Sequence, residues 1–114
     1  MNLSDAIPDH ATMCYEVTEY AKRPNGSLKP ADLAREDACT LGQWLTKDGA
    51  THEALPAYAS LNAAHAKFHR ASADTVQQAD DKALPEGWQD EKAKLKASLG
   101  DLCGAIMKMD FTIG

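Results

Sequence analysis

The residues with the clearest chemical potential are His65 and His69, in the run Ala64-His65-Ala66-Lys67-Phe68-His69-Arg70, which contains no glycine or proline. Side chains four apart on an α-helix lie one above the other on the same face, so two imidazoles at this spacing can turn toward one ion. A His-x-x-x-His pair recurs by chance, so its meaning depends on further ligands. The chain holds four histidines and three cysteines. His10 and Cys14 fall on the inward stripe of the first helical segment, and Cys39 lies in Cys39-Thr40-Leu41-Gly42-Gln43-Trp44-Leu45. Zinc in closed sites takes four ligands, tetrahedrally, from cysteine sulfur and histidine nitrogen. His10, Cys39, His65 and His69 supply such a set, three histidines and one cysteine, from three different segments.

Several neighbours could support that set. Gly42 stands three residues after Cys39 in what reads as a helix interior. A glycine there costs about 1 kcal/mol relative to alanine and is tolerated where another element must come close. The expected visitor is the helix of His65 and His69. Trp44 is expected to shield the site from water. Asp37, two residues before Cys39, is placed to tune the thiolate or hydrogen-bond a ligating histidine, or else simply faces solvent. Of the remaining candidates, Cys14 and Cys103 read as apolar core filler, Cys14 with the alternatives of a second thiol near the metal or a resolving cysteine after oxidation, and His52 as a solvated loop residue.

Four helical segments must position these groups. Punctuation at Pro24-Asn25-Gly26-Ser27, Asp48-Gly49-Ala50 and Leu84-Pro85-Glu86-Gly87 separates stretches rich in good helix formers. The predicted segments span about 4–22, with Ser4 or Asp5 as cap, then 30–47, 56–82 and 86–109. Inward stripes at 3–4 spacing run through Ile7, His10, Cys14, Val17 and Ala21, then Leu33, Asp37, Leu41, Trp44 and Leu45. They continue in Tyr58, Leu61, His65, Phe68, Ser72, Val76 and Ala79, and in Trp88, Leu95, Leu99, Leu102, Ile106 and Met109. No stretch has the strict alternation of a strand. The fold class is therefore all-α, an antiparallel four-helix bundle in one domain over 1–114, with a zinc site between helices.

Composition narrows the function. A net charge of −5 argues against a dedicated nucleic-acid binder, which needs a basic face. No apolar run approaches the roughly 20 residues of a membrane span, and the first residues lack the basic and apolar regions of a signal peptide. Three widely spaced cysteines do not form a disulfide framework. Together these imply a cytoplasmic protein. A closed four-ligand site leaves no exchangeable position for water, and no nucleophile–base set or phosphate-binding loop is present, so the chain does not read as an enzyme.

Asp9-His10, then Cys39-Thr40-Leu41-Gly42-Gln43-Trp44, then His65-x-x-x-His69, at separations of 29, 26 and 4 residues, resembles the chemoreceptor zinc-binding (CZB) domain family over most of the chain. The resemblance implies a bacterial cytoplasmic sensory domain holding one zinc through His10, Cys39, His65 and His69. It also implies sensing of zinc or of oxidants such as hypochlorous acid, with Cys39 as the redox-reactive group. The partners it implies are a second copy, as a homodimer, and a chemoreceptor or a diguanylate cyclase. This chain would be a stand-alone member, passing its output to another protein. Two other readings stay open, a structural zinc-stabilised interaction module and a hemerythrin-like di-iron oxygen-binding bundle.

Overall fold

α4 (Pro56–Asp80) and α5 (Gln89–Ile113), each 25 residues long, set the long dimension of the molecule. At 1.5 Å per residue each spans about 38 Å, against a longest extent of 43 Å. The computed structural model describes residues 2–84 and 88–114, and these are helical throughout apart from turns and links. The turn expected at Leu84-Pro85-Glu86-Gly87 and the expected helix start at Glu86 fall largely outside the described residues.

Each long helix follows from its sequence. Pro56 occupies the first turn of α4, where its missing N–H costs nothing. Leu61, His65, Phe68, Ser72, Val76 and Ala79 then turn inward at helical spacing. α4 ends at Asp80, where Lys82 adopts a left-handed φ of 54° and the Ala83 N–H donates back to the Gln78 carbonyl at 2.8 Å. α5 buries Leu95, Ser98, Leu102, Ile106 and Met109, and runs four residues past the predicted end at Met109. α1 (Ala6–Lys22) buries Ala6, His10, Cys14, Val17 and Tyr20. Its entry is a short 3-10 turn, Leu3–Asp5, capped by Asn2, whose Oδ1 accepts from the Ser4 N–H at 3.4 Å; Asp5 holds the cap position of α1 itself, but its side chain makes no capping bond.

Directions follow from who meets whom. His10 meets His65 and His69, and Tyr20, ten residues on, donates its hydroxyl to Asp80, so α1 and α4 run parallel. Lys22 and Cys14 of α1 share a groove with Lys92 and Cys103 of α5, so those two run antiparallel. This is the up-down-up-down order of an antiparallel bundle, with α1 and α4 touching across it.

The second segment is not the continuous helix 30–47 that the sequence suggests. It breaks into α2 (Pro30–Leu33), a 3-10 turn (Glu36–Ala38) and α3 (Thr40–Thr46). Two demands interrupt it. The Leu33 carbonyl accepts from His69 Nδ1 at 2.8 Å instead of from the next turn of its own helix. Cys39 is extended, at φ −89° and ψ 161°, and caps α3 with its sulfur accepting the Gly42 N–H at 3.4 Å. Gly42 is therefore near a helix start, and its role is different from the one expected. A Cβ there would lie 1.7 Å from the Glu36 carbonyl oxygen, so its missing side chain admits the preceding turn and not α4.

Candidate metal centre

His10 reaches the centre from the second turn of α1, His65 and His69 from adjacent turns of α4, and Cys39 from the start of α3. The three imidazole Nε2 atoms surround one sulfur. Cys39 Sγ lies 3.1 Å from His65 Nε2, 3.6 Å from His69 Nε2 and 3.8 Å from His10 Nε2. All four atoms are within 4.8 Å of one another. Zn–S and Zn–N bonds of about 2.3 and 2.0–2.1 Å at tetrahedral angles put sulfur and nitrogen about 3.6 Å apart. The three sulfur–nitrogen separations bracket that edge, so the donor set suits a single zinc ion.

The hydrogen bonds behind two of the rings support the same orientation. His10 Nδ1–H donates to the Ala6 carbonyl at 2.7 Å, and His69 Nδ1–H donates to the Leu33 carbonyl at 2.8 Å. In a neutral ring this leaves the Nε2 lone pair free, facing the sulfur. His65 differs, since its buried Nδ1 has no partner among the described residues. A cavity of about 60 Å³ lined by Glu36, Gly42, Asn62 and His65, among others, adjoins it. That is room for a bridging water, whose liquid volume is about 30 Å³.

Burial controls the protonation of the group. His65 is 1 % exposed, and its pKa is pushed down to about 3 by desolvation first and by the neighbouring His69 and His10 second. His10 is also lowered, chiefly by burial, with the Ala6 carbonyl opposing. Burial raises the Cys39 thiol, opposed by the backbone N–H groups of Gly42 and Leu41. The pocket thus favours the neutral forms of His65 and His10, which are donors, and disfavours a bare thiolate. A bound dication reverses that second preference, because its charge is the largest in the site. The centre contains no carboxylate among the described residues, whereas a di-iron site of the hemerythrin kind needs bridging carboxylates.

Of the supporting residues, Asp37 takes the solvent-facing one of its two expected places, and Trp44 and His52 depart from the expectation. Asp37 is exposed, with its carboxylate 3.5 Å from Arg35 Nε. Trp44 lies against Gly49, where a Cβ would come within 2.6 Å of its ring, and stacks on His52 with ring centroids 6.4 Å apart. His52 is accordingly half-buried in a 3-10 turn, Asp48–His52, and not a free loop residue. The wall beside the histidines is Phe68, whose ring meets His10 edge-on at 5.6 Å. Cys103, expected in the core, is only half-buried, while Cys14 is buried. The sequence reading missed the two backbone carbonyls, of Ala6 and Leu33, that orient His10 and His69. For Ala6 the signal was available, since it lies four residues before His10 on one helix. For Leu33 it was not, because that contact exists only where the second segment breaks.

No curated protein and no solved structure matches the chain. The family model of the chemoreceptor zinc-binding domain matches residues 16–76, more than half of the chain, and this range contains Cys39, His65 and His69, with His10 just ahead of it. The chain therefore belongs to the chemoreceptor zinc-binding domain family, a zinc-binding family, and carries one three-histidine, one-cysteine group able to hold a single zinc ion.

Proposed function

We propose that His10, Cys39, His65 and His69 hold one zinc ion, and that the domain is a sensor whose responsive group is Cys39. The observation that carries this reading is the convergence of three Nε2 atoms on one sulfur at 3.1–3.8 Å. When bound, zinc supplies the positive charge that keeps Cys39 a thiolate in a pocket that otherwise favours the thiol. A thiolate is the form that oxidants attack. With hypochlorous acid the sulfur takes the oxygen, chloride leaves, and Cys39 becomes a sulfenic acid.

The same sulfur that would bind the metal also caps α3, so its chemistry bears on local structure. A sulfenic acid is a poorer donor to a cation and a poorer acceptor for the Gly42 N–H. Loss of both contacts frees α3 and the Glu36–Ala38 turn from the centre. That change at the surface is the signal offered to a partner. Phe111, 89 % exposed, Met107 one turn before it on α5, and Tyr15 on α1 provide apolar surface for contact with a second copy or a signalling protein of the chemoreceptor or cyclase kind. Such a domain acts by binding, without catalysis. No helix among the described residues is long and apolar enough to cross a membrane, and a cytoplasmic setting suits a reactive thiolate.

Elemental analysis of protein prepared without added metal tests the first part, with about one zinc per chain expected. Cys39→Ala should weaken zinc binding and abolish oxidant-driven zinc release. A wild-type protein that keeps its zinc under oxidant and weak chelator alike is a structural zinc module, and the sensing reading then fails.

A further inference from the structure

Cys14 and Cys103 take no part in the centre, yet they stand on facing helices. Both line one groove of about 590 Å³ between α1 and α5, with Ala11, Leu99 and Gly100 at the same level. The antiparallel register sets Lys22 of α1 beside Lys92 of α5 at one end of that groove, and Cys14 beside Gly100 and Cys103 further along. Gly100 presents no side chain, and a Cβ there would meet nothing within 4 Å, so the groove is open on its α5 side. Both cysteines are free thiols. Cys14 is 5 % exposed and Cys103 half-buried, so a reagent in solvent meets Cys103 first. Burial raises both thiols; Lys96, in the same groove, favours the Cys14 thiolate and a charge on Cys103 opposes it.

We propose that Cys14 and Cys103 form a second redox site, a dithiol that small hydroperoxides convert to a disulfide joining α1 to α5. The Cys103 thiolate attacks the outer peroxide oxygen, the O–O bond breaks, and the alcohol or water leaves, so that sulfur is oxidised to a sulfenic acid and peroxide is reduced. The Cys14 sulfur then attacks the Cys103 sulfur, the S–O bond breaks, and water carries away the hydroxyl and the Cys14 proton. The groove supplies the two requirements of this chemistry, an accessible thiol and a protected partner on the facing helix. The site is separate from Cys39, and it ties the helix that carries His10 to the C-terminal helix.

The test treats zinc-loaded protein with substoichiometric hydrogen peroxide, blocks free thiols, and maps the peptides without reduction. A Cys14–Cys103 cross-link with loss of two hydrogens is expected, reversed by dithiothreitol. In Cys103→Ser, Cys14 should remain fully alkylatable. In Cys14→Ala, Cys103 should stop at a sulfenic acid that a cyclic diketone traps. Cys103 is half-buried, so its serine variant keeps the fold, and unchanged circular dichroism confirms it. Cross-linking of Cys14 to Cys39, a Cys103–Cys103 bond between two chains, or both thiols left alkylatable after one equivalent of peroxide overturns the proposal.

Discussion

Two buried regions of this domain are built on opposite principles. Along α4 and α5, the most extensive helix contact among the described residues, Leu61, Val76, Leu95 and Leu102 are buried. These side chains need nothing but removal from water, worth about 1.5–3 kcal/mol for each large apolar group. The other region, where α1, α3 and α4 meet, buries three imidazoles around one thiol, and one imidazole nitrogen has no partner among the described residues. Burying polar groups without full pairing costs about 1–3 kcal/mol each. The first region stabilises the bundle by itself. On the proposed reading the second gains its stability from the ion it would hold, and that dependence is what would make it responsive.

The largest effect should come from removing the ion. At free zinc a thousandfold above Kd, binding to the folded state alone contributes about 4 kcal/mol. Chelation should therefore lower the melting temperature by roughly 15–30 °C, at about 4–8 °C per kcal/mol for a small domain. Hydrogen exchange should locate the loss. Amides of α3 and the Glu36–Ala38 turn should lose protection first, while those of α4 and α5 hold. A melt indifferent to chelator would erase the distinction between the regions.

A core truncation probes the other side. Leu95 is fully buried, and Leu95→Ala should cost about 2–5 kcal/mol. The comparison requires that this cost be the same with zinc bound and with zinc chelated, and that zinc affinity be unchanged. Denaturant melts of both forms measure it. A cost that depends on zinc would mean the two regions are one cooperative unit.

The same contrast explains what the sequence made legible. The long helices were readable because α1, α4 and α5 each repeat one inward stripe over many turns, and that period survives local accident. The four residues of the centre were readable as a set because α4 fixes the relation of His65 to His69 and ligand chemistry restricts the rest. The break in the second segment was not readable. Residues 30–47 have adequate helix propensity, but the Leu33 carbonyl is claimed by His69, 36 residues away, and Cys39 caps α3 with a sulfur, which is not a usual capping group. Long-range hydrogen bonds override local preference without leaving a local mark. The roles expected for Gly42 and Trp44 depended on that unbroken helix, and both residues meet other neighbours once it breaks.

Two glycines sharpen the point. Gly42→Ala would set a Cβ against the Glu36 carbonyl oxygen, which is backbone and cannot swing aside. It should cost about 1–3 kcal/mol and weaken zinc binding by shifting the turn beside Cys39. Gly100→Ala on α5 meets nothing within 4 Å and should stabilise by up to about 1 kcal/mol through helix propensity, with zinc affinity unchanged. Paired melts and zinc titrations of the two variants check both signs.

Acid should separate the regions further in the zinc-free protein. With its folded pKa near 3 and an ordinary value of 6.5, His65 binds its proton more readily when the chain unfolds. Its contribution is complete above pH 6.5 and is lost as pH falls from there toward 3, at roughly 1 kcal/mol per pH unit. His10, shifted in the same direction, adds to the slope. His65→Gln should flatten the dependence in chelated protein. A slope unchanged by that substitution would assign the acid sensitivity elsewhere.

Asp37 provides the smallest effect and a boundary for the responsive region. Its carboxylate is exposed and sits beside Arg35, two residues away, in a geometry 3.5 Å from Nε. An exposed pair of this kind is worth at most about 1 kcal/mol and often nothing measurable. If the centre is oriented by the Ala6 and Leu33 carbonyls, then Asp37→Asn should change stability by less than about 0.5 kcal/mol and leave zinc affinity within twofold. The cavity beside His65 is also lined by Asp37, so a water-bridged link to the unpaired Nδ1 is the contact this substitution would expose. A tenfold loss of zinc affinity in Asp37→Asn, with stability of the zinc-free protein unchanged, would extend the responsive region through that water to the surface.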